Sequence, residues 1–320
     1  MKDYSVPYRK YCRYALIFLP RALRQLVFKC SRLIPSDRLY LKIVYFLTFG
    51  KWIDLDHPEK LRAFTEKIQW LKIHNDSPLH TRMADKYAAR EIVEKELGPG
   101  HTFPLLGVWE HFDDIDFSKL PDQFVLKPTH DSGSIVFCYD KKTFDRRAAG
   151  KKLEAALRRN YYWFGREHPY RDIVPRLIAE PLMVEESGGA LKDYKIFCFD
   201  GEVKFIQIDI DRFTNHHRNL YTPEWKLIDA LTNIHYPIAY DMEIPKPELL
   251  PEMLSAAARL SKGFPCIRID FYVVNSKLYF GEFTFHHGSG LVHILPPEFD
   301  LEMGSWIHLP IADDVRDGDK

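Results

Sequence analysis

Between Ile267 and Thr284 the chain reads Ile-Arg-Ile-Asp-Phe-Tyr-Val-Val-Asn-Ser-Lys-Leu-Tyr-Phe-Gly-Glu-Phe-Thr, two largely alternating runs that meet at a short polar turn. This pattern predicts a β-hairpin. Alternate strand residues share a face, so Arg268, Asp270 and Tyr272 point one way and Ile267, Ile269 and Phe271 the other. On the return strand Glu282 and Thr284 share a face. A loop of three residues, Asn275 to Lys277, pairs Val274 with Leu278 and sets Asp270 directly opposite Glu282. A two-residue loop instead puts the acids on opposite faces, because a one-residue shift flips every side chain. Facing carboxylates repel, and the arrangement becomes favourable when a divalent cation lies between them. Oxygen ligands without Cys or His select Mg2+, with Mn2+ as the alternative. Taken alone, the hairpin reads more simply as an exposed sheet face on which Arg268 neutralises the acids.

The rest of the chain supplies further elements. Asp76-Ser77-Pro78 resembles a helix start, with a helical stretch to Leu97, a recap at Asp85-Lys86, and a stop at Gly98-Pro99-Gly100. Phe124 to Pro128 and Ile135 to Tyr139 read as strands joined by Thr129-His-Asp-Ser-Gly-Ser134. Residues 144 to 159 are expected to be helical, and Leu177 to Ala179 to form a strand running into Glu180-Pro-Leu-Met183. Lys195 to Phe199 and Val203 to Ile208 form a second hairpin around Asp200-Gly201. The order is mixed α+β, without a repeat period.

Charge and cysteine usage narrow the class. The 45 basic and 45 acidic side chains cancel, so nothing in the composition calls for nucleic acid as a partner. Residues 1 to 50 nevertheless carry ten Lys/Arg against Asp3 and Asp37, a net +8, interleaved with apolar residues. Such a segment suits either peripheral contact with an anionic membrane or a helical layer with a solvated basic face. Its apolar patches are too short to span a bilayer and lack a signal-peptide layout. Five scattered cysteines, with no Cys-x-x-Cys pair, fit a reducing cytoplasm. Adjacent strand residues face opposite ways, so neither His216-His217 nor His286-His287 makes a natural zinc pair.

Several segments together resemble the ATP-grasp superfamily, in its TupA-like branch associated with teichuronopeptide and polysaccharide synthesis. They are Phe64-Thr-Glu-Lys-Ile-Gln-Trp-Leu71, Ala84-Asp-Lys-Tyr-Ala-Ala-Arg90, Leu120 to Lys127, His130-Asp-Ser-Gly133, Ile178-Ala-Glu-Pro-Leu182, Asp193-Tyr-Lys-Ile-Phe197, and Gly281-Glu-Phe-Thr-Phe285 with Gly288-Ser-Gly290. The resemblance implies an α+β ATP-grasp fold in which two subdomains clasp ATP, preceded by a basic helical segment at 1–60. The expected divisions are 61–120, a phosphate-lid part at 121–190, a metal and substrate part at 191–312, and a tail at 313–320.

The same resemblance assigns roles. Lys86 and Lys127 reach the phosphates of ATP, with Lys195 as an additional contact, and the lid backbone at Ser132, Gly133 and Ser134 cradles the terminal phosphates. Glu180, Leu182 and Met183 form the hinge that reads adenine, and Glu185 or Glu186 binds the ribose. Asp270 and Glu282 hold Mg2+, with Thr284 as a third ligand where many relatives carry Asn. Arg268 clamps an acyl phosphate, Arg212 and Arg218 take the acceptor or the transferred phosphate, and His286-His287, standing where this branch has Thr-Pro or Tyr-Pro, tunes the acceptor pocket. The implied reaction joins a carboxylate to an amine, on a small molecule or a glycan. A glycosyltransferase, a phosphoryl transferase to a glycan hydroxyl and an idle glycan-binding module are the alternatives.

Overall fold

The computed structural model describes residues 27–28, 30–183, 191–210 and 215–311. Glu185, Glu186, Arg212, the first 26 residues and the 313–320 tail therefore lie outside the described residues. Among the described residues, no helix is long and apolar enough to cross a membrane.

Among the described residues ten strands form two antiparallel sheets. The smaller contains β1 (Gly107–Trp109), β2 (Phe124–Pro128), β3 (Val136–Cys138) and β4 (Leu177–Pro181), in the order β1-β4-β2-β3. The larger contains β5 (Asp193–Phe199), β6 (Glu202–Ile210), β7 (His217–Tyr221), β8 (Leu227–Ile228), β9 (Ile267–Val274) and β10 (Lys277–Thr284), in the order β10-β9-β5-β6-β7-β8. Each strand and hairpin expected from the sequence is present.

The larger sheet is apolar on one face. Ile196, Ile206, Ile208, Ile267, Ile269 and Phe271, all nearly inaccessible, pack there with Met253 and Ala257 of helix Leu250–Leu260. On the other face Phe197, Phe199 and Phe205 pack with helices Asp37–Phe49, Phe64–His74 and Pro297–Ser305. Beyond these aromatics that face turns polar. Helix Arg146–Leu157 backs the smaller sheet, its start capped by Asp145, which accepts from the Ala148 N–H at 2.9 Å.

Of two local expectations, the recap at Asp85 is borne out and the loop of the acidic hairpin is corrected. The stretch Pro78 to Leu97 is two helices, Pro78–Ala84 and Ala89–Leu97, because Asp85 folds its carboxylate onto the Tyr87 N–H at 2.9 Å. In the acidic hairpin Lys277 pairs with Val274, so the loop has two residues, Asn275 and Ser276, with φ of 50° and 54° as a type I′ turn requires. The acids still meet, because a bulge between Phe280 and Glu282 restores the parity that the shorter loop removed. Gly281 is the inserted residue. A Cβ there would stand 2.8 Å from the Tyr272 ring and 3.1 Å from the Asp270 carbonyl, closer than real side chains come.

Candidate active site

The polar face of the larger sheet is one cross-strand row. Glu282 stands opposite Asp270, Asp270 opposite Lys195, and Lys195 opposite Gln207. One residue-pair away on the same face, Asp209 opposes Arg218. Across five strands the row thus runs acid, acid, base, acid, base, with neutral Gln207 beside Asp209. Thr284 opposes Arg268 at the end of the hairpin.

Arg268 organises the acidic end. Its Nε and one terminal nitrogen bond both oxygens of Asp270 at 2.6 and 2.8 Å, and the same terminal nitrogen reaches Glu282 at 3.2 Å. The other terminal nitrogen donates to His287 Nδ1 at 3.0 Å. Lys195 lies between Asp193 and Asp270, 2.9 Å from the latter. Burial works against the charge on Asp270, yet Arg268 and Lys195 outweigh it and hold the carboxyl below its ordinary range. Burial instead pushes Asp193 up, against the pull of Lys195. His287 is held well below the usual imidazole value by burial, and then by the charges of Arg268 and Arg218, so it is neutral.

The smaller sheet contributes a second charged group. Lys127 on β2 meets Glu180 on β4 at 2.6 Å, so the half-buried ammonium has the partner its apolar flanks demand. Leu182 and Met183 follow at the strand's end, half-buried. The loop between β2 and β3 is rooted firmly. Lys86 N–H donates to Thr129 O at 3.0 Å, and His130 Nε2 lies 3.1 Å from the carbonyls of Ala156 and Arg159. At its far end Ser134 is buried and hydrogen-bonded to Asp131, while Arg159 donates to Ser134 Oγ at 2.8 Å. Only Ser132 and Gly133 stand exposed, as the apex.

Residues 86 to 90 join the two sheets. Lys86 Nζ donates to the Asp131 carbonyl of the loop at 2.6 Å and lies 3.8 Å from Glu282. Arg90, one turn on, lies 3.8 Å from Glu180. Two groups of ion pairs result, Lys86 with Glu282, Arg268 and Asp270, and Lys127 with Glu180 and Arg90, and the backbone of residues 86 to 90 carries a member of each.

A family model described as TupA-like ATP-grasp matches residues 66–308. The chain belongs to this family. No curated protein sequence matches it. Among solved structures it is similar to D-alanine–D-alanine ligase from Bacillus anthracis in complex with ATP, at 18% identity, covering 64% of this chain and 55% of that one with a TM-score of 0.37. An ADP complex of N5-carboxyaminoimidazole ribonucleotide synthetase matches at 13% identity, 69% and 50% coverage and a TM-score of 0.41. D-alanine–D-alanine ligase from Helicobacter pylori matches at 14% identity, 78% and 67% coverage and a TM-score of 0.42. The chain spans about half the length of the first two.

In this TupA-like ATP-grasp chain the row of charges contains Lys195, Arg218, Arg268, Asp270 and Glu282 but sets Arg218 apart. Arg218 is buried on β7, held by Asp209 at 2.6 Å and stacked over Tyr236, three strands away from Asp270. It is not a residue of a solvated loop. Several neighbours of the site escaped sequence reasoning. Arg90 and Asp131 lay inside the signpost segments, but only the fold shows Arg90 on Glu180 and the Asp131 carbonyl on Lys86. Tyr161 and Tyr170, their rings 5.0 Å apart, are both half-buried near Glu167 and Glu282, and Tyr161 hydrogen-bonds Ser132. The aromatic run Tyr161-Tyr-Trp-Phe164 was their only visible signal.

The donor set suits a hard cation. Among the described residues no three His, Cys, Asp or Glu side chains gather as a closed metal cage. Two facing carboxylates, with Glu282 about one-third exposed, instead match an ion that completes its shell with water and phosphate oxygens.

Proposed function

We propose that this protein is a Mg2+- and ATP-dependent ligase that joins a carboxylate to an amine through an acyl phosphate, on a surface polysaccharide or its precursor. The carrying observation is Lys86, which touches the loop of one sheet and the acidic hairpin of the other. Triphosphate bound there exchanges internal ion pairs for its own. Lys86, Lys127 and the exposed apex at Ser132 and Gly133, with buried Ser134 behind it, would face its phosphates, with Lys195 beneath, and Glu180, Leu182 and Met183 would line the base.

Asp270 and Glu282 would hold Mg2+, with Thr284 the candidate third ligand; when bound, the ion neutralises charge on the phosphate oxygens. Arg268 is held rigidly beside both acids, so its guanidinium is aligned before charge develops on the transferred group. Arg218 and the neighbouring Arg212 are the acceptor-side candidates. Glu185 and Glu186 remain candidates for the ribose. The TupA-like family match supports the glycan-linked substrate, and the ten basic residues of the first fifty, beside exposed Leu33, Leu39 and Trp52, support contact with the cytoplasmic membrane surface.

Thermal melting tests the reading. Millimolar Mg2+ and ATP should raise the melting temperature, while UDP-sugars should leave it unchanged. Glu282→Gln should weaken ATP binding about tenfold or more, since hydrogen bonds to charged groups contribute about 1.5–3 kcal/mol. Stabilisation by UDP-sugars and not by ATP would transfer the site to a glycosyltransferase.

A further inference from the structure

The hairpin carrying Glu282 does not run straight into the next helix. Gly288, Ser289 and Gly290 follow with φ of 55°, 57° and 59°, three successive residues in the left-handed region. For Ser289 that conformation costs about 1–2 kcal/mol, so surrounding contacts must impose it.

Those contacts come from one face of helix Phe64–His74. Gln69 Nε2 donates to the carbonyls of Ser289 and Gly290 at 3.1 and 2.9 Å. Lys72 Nζ donates to Ser289 O at 2.7 Å, Ser289 Oγ at 2.8 Å and Gln69 Oε1 at 3.1 Å, using all three of its protons. Both side chains are inaccessible, at 0% and 1% exposure. The Ser289 hydroxyl continues the chain to Glu167, which also faces His286 at 3.4 Å. Gly290 presses so closely on this helix that a Cβ would lie 2.5 Å from Gln69 Nε2.

An ammonium in such a place is costly. Burial lowers its pKa to about 8, with the Glu167 charge opposing that fall, and a methionine would fill a similar volume without desolvation. The turn it grips begins at His287, whose Nδ1 is the acceptor for Arg268. We propose that Lys72, together with Gln69, is a positioning residue that locks the left-handed 288–290 turn and so holds the His287 acceptor against Arg268, fixing the guanidinium for the transferred phosphoryl group. This rests on the reading of the charged face as an ATP site. It also gives the Phe64–Leu71 signpost and the residue just beyond it a chemical purpose that the nucleotide contacts do not.

With Nδ1 accepting from Arg268, the His287 proton belongs on Nε2. Two measurements then decide the proposal: the imidazole 15N spectrum of labelled protein, with His287→Asn to assign the signal, and calorimetric affinity for Mg·ADP with and without aluminium fluoride as a mimic of the transferred phosphoryl. Wild type should show the Nε2–H tautomer at His287 and tighter binding with fluoride. Lys72→Met should keep Mg·ADP affinity within about twofold, lose at least tenfold of the fluoride-dependent tightening, and mix the His287 tautomers.

Ser289→Gly removes the bridging hydroxyl and the left-handed cost together, so it should fold readily and lose about threefold of the tightening. It decides the matter if Lys72→Met does not fold. An unchanged His287 signal and unchanged tightening in the folded variants would overturn the proposal. Wild type that does not bind Mg·ADP would instead remove the nucleotide reading, and the imidazole signal, which needs no nucleotide, would still decide the clamp.

Discussion

Lys127 shows how a side chain proposed to bind phosphate can also hold the fold together. Its stem lies in a strand between buried Leu126 and Pro128, and its ammonium is tied to Glu180 at 2.6 Å. Lys127→Ala would leave the Glu180 carboxylate buried at 11% exposure with only Arg90 near, at 3.8 Å. Stranding a buried charged group costs about 1–3 kcal/mol or more. A lowered urea midpoint accompanied by loss of ATP-induced stabilisation is therefore expected. An unchanged midpoint would mean the pair is worth no more than a surface one.

At the scale of the element, the acidic hairpin depends on two compensating irregularities. The Asn275-Ser276 turn shortens the loop by one residue and the bulge at Gly281 adds one back. Deleting Gly281 should remove the bulge and still set Glu282 opposite Asp270, because Glu282 then follows Phe280 directly, so ATP affinity should stay near the wild-type value. Gly281→Ala keeps the bulge but drives a Cβ against the Tyr272 ring and the Asp270 carbonyl, so it is the variant that disturbs the pair. Its expected result is a folded protein whose ATP affinity falls about tenfold, read by calorimetry. Wild-type affinity in Gly281→Ala would show that the geometry of the bulge is immaterial to the pair of Asp270 and Glu282.

For the whole molecule, the join between the N-terminal helices and the insert at 161–170 is electrostatic. Arg166, 1% exposed, sits among the rings of Tyr40, Tyr162 and Trp163, donates to the carbonyls of Ser31 and Ile34, and meets Asp37 at 2.5 Å. Asp37 also meets Tyr162 at 2.7 Å and His168 at 2.8 Å. Burial opposes its charge, but His168, Tyr162 and Arg166 prevail and bring its pKa down to about 2. Because the folded value lies below the unfolded one, this stabilisation is complete above about pH 5 and fades as pH falls through 2. With the carboxylate one-fifth exposed, it amounts to about 2 kcal/mol at most. Asp37→Asn should lower the melting temperature at pH 7 and flatten the acid limb of the stability curve between about pH 5 and 2. Parallel curves for the two proteins would refute this.

Strand periodicity alone placed the two hairpins and the β2 and β4 strands, because period-two alternation is a local property that each strand carries in its own residues. The same alternation singled out Asp270 and Glu282, whereas Lys86 and Lys127 were named by the family resemblance, with the apolar flanks of Lys127 as a local signal. The reason Asp270 meets Glu282 was not legible there: turn type and bulge are settled by the fit of Gly281 against Tyr272 on the neighbouring strand. Nor could the sequence show Arg268 resting on His287, or Lys72 gripping Ser289 from 217 residues away. Those contacts join segments whose spacing carries no pattern, and only packing, which must find a partner for each buried charge, decided them.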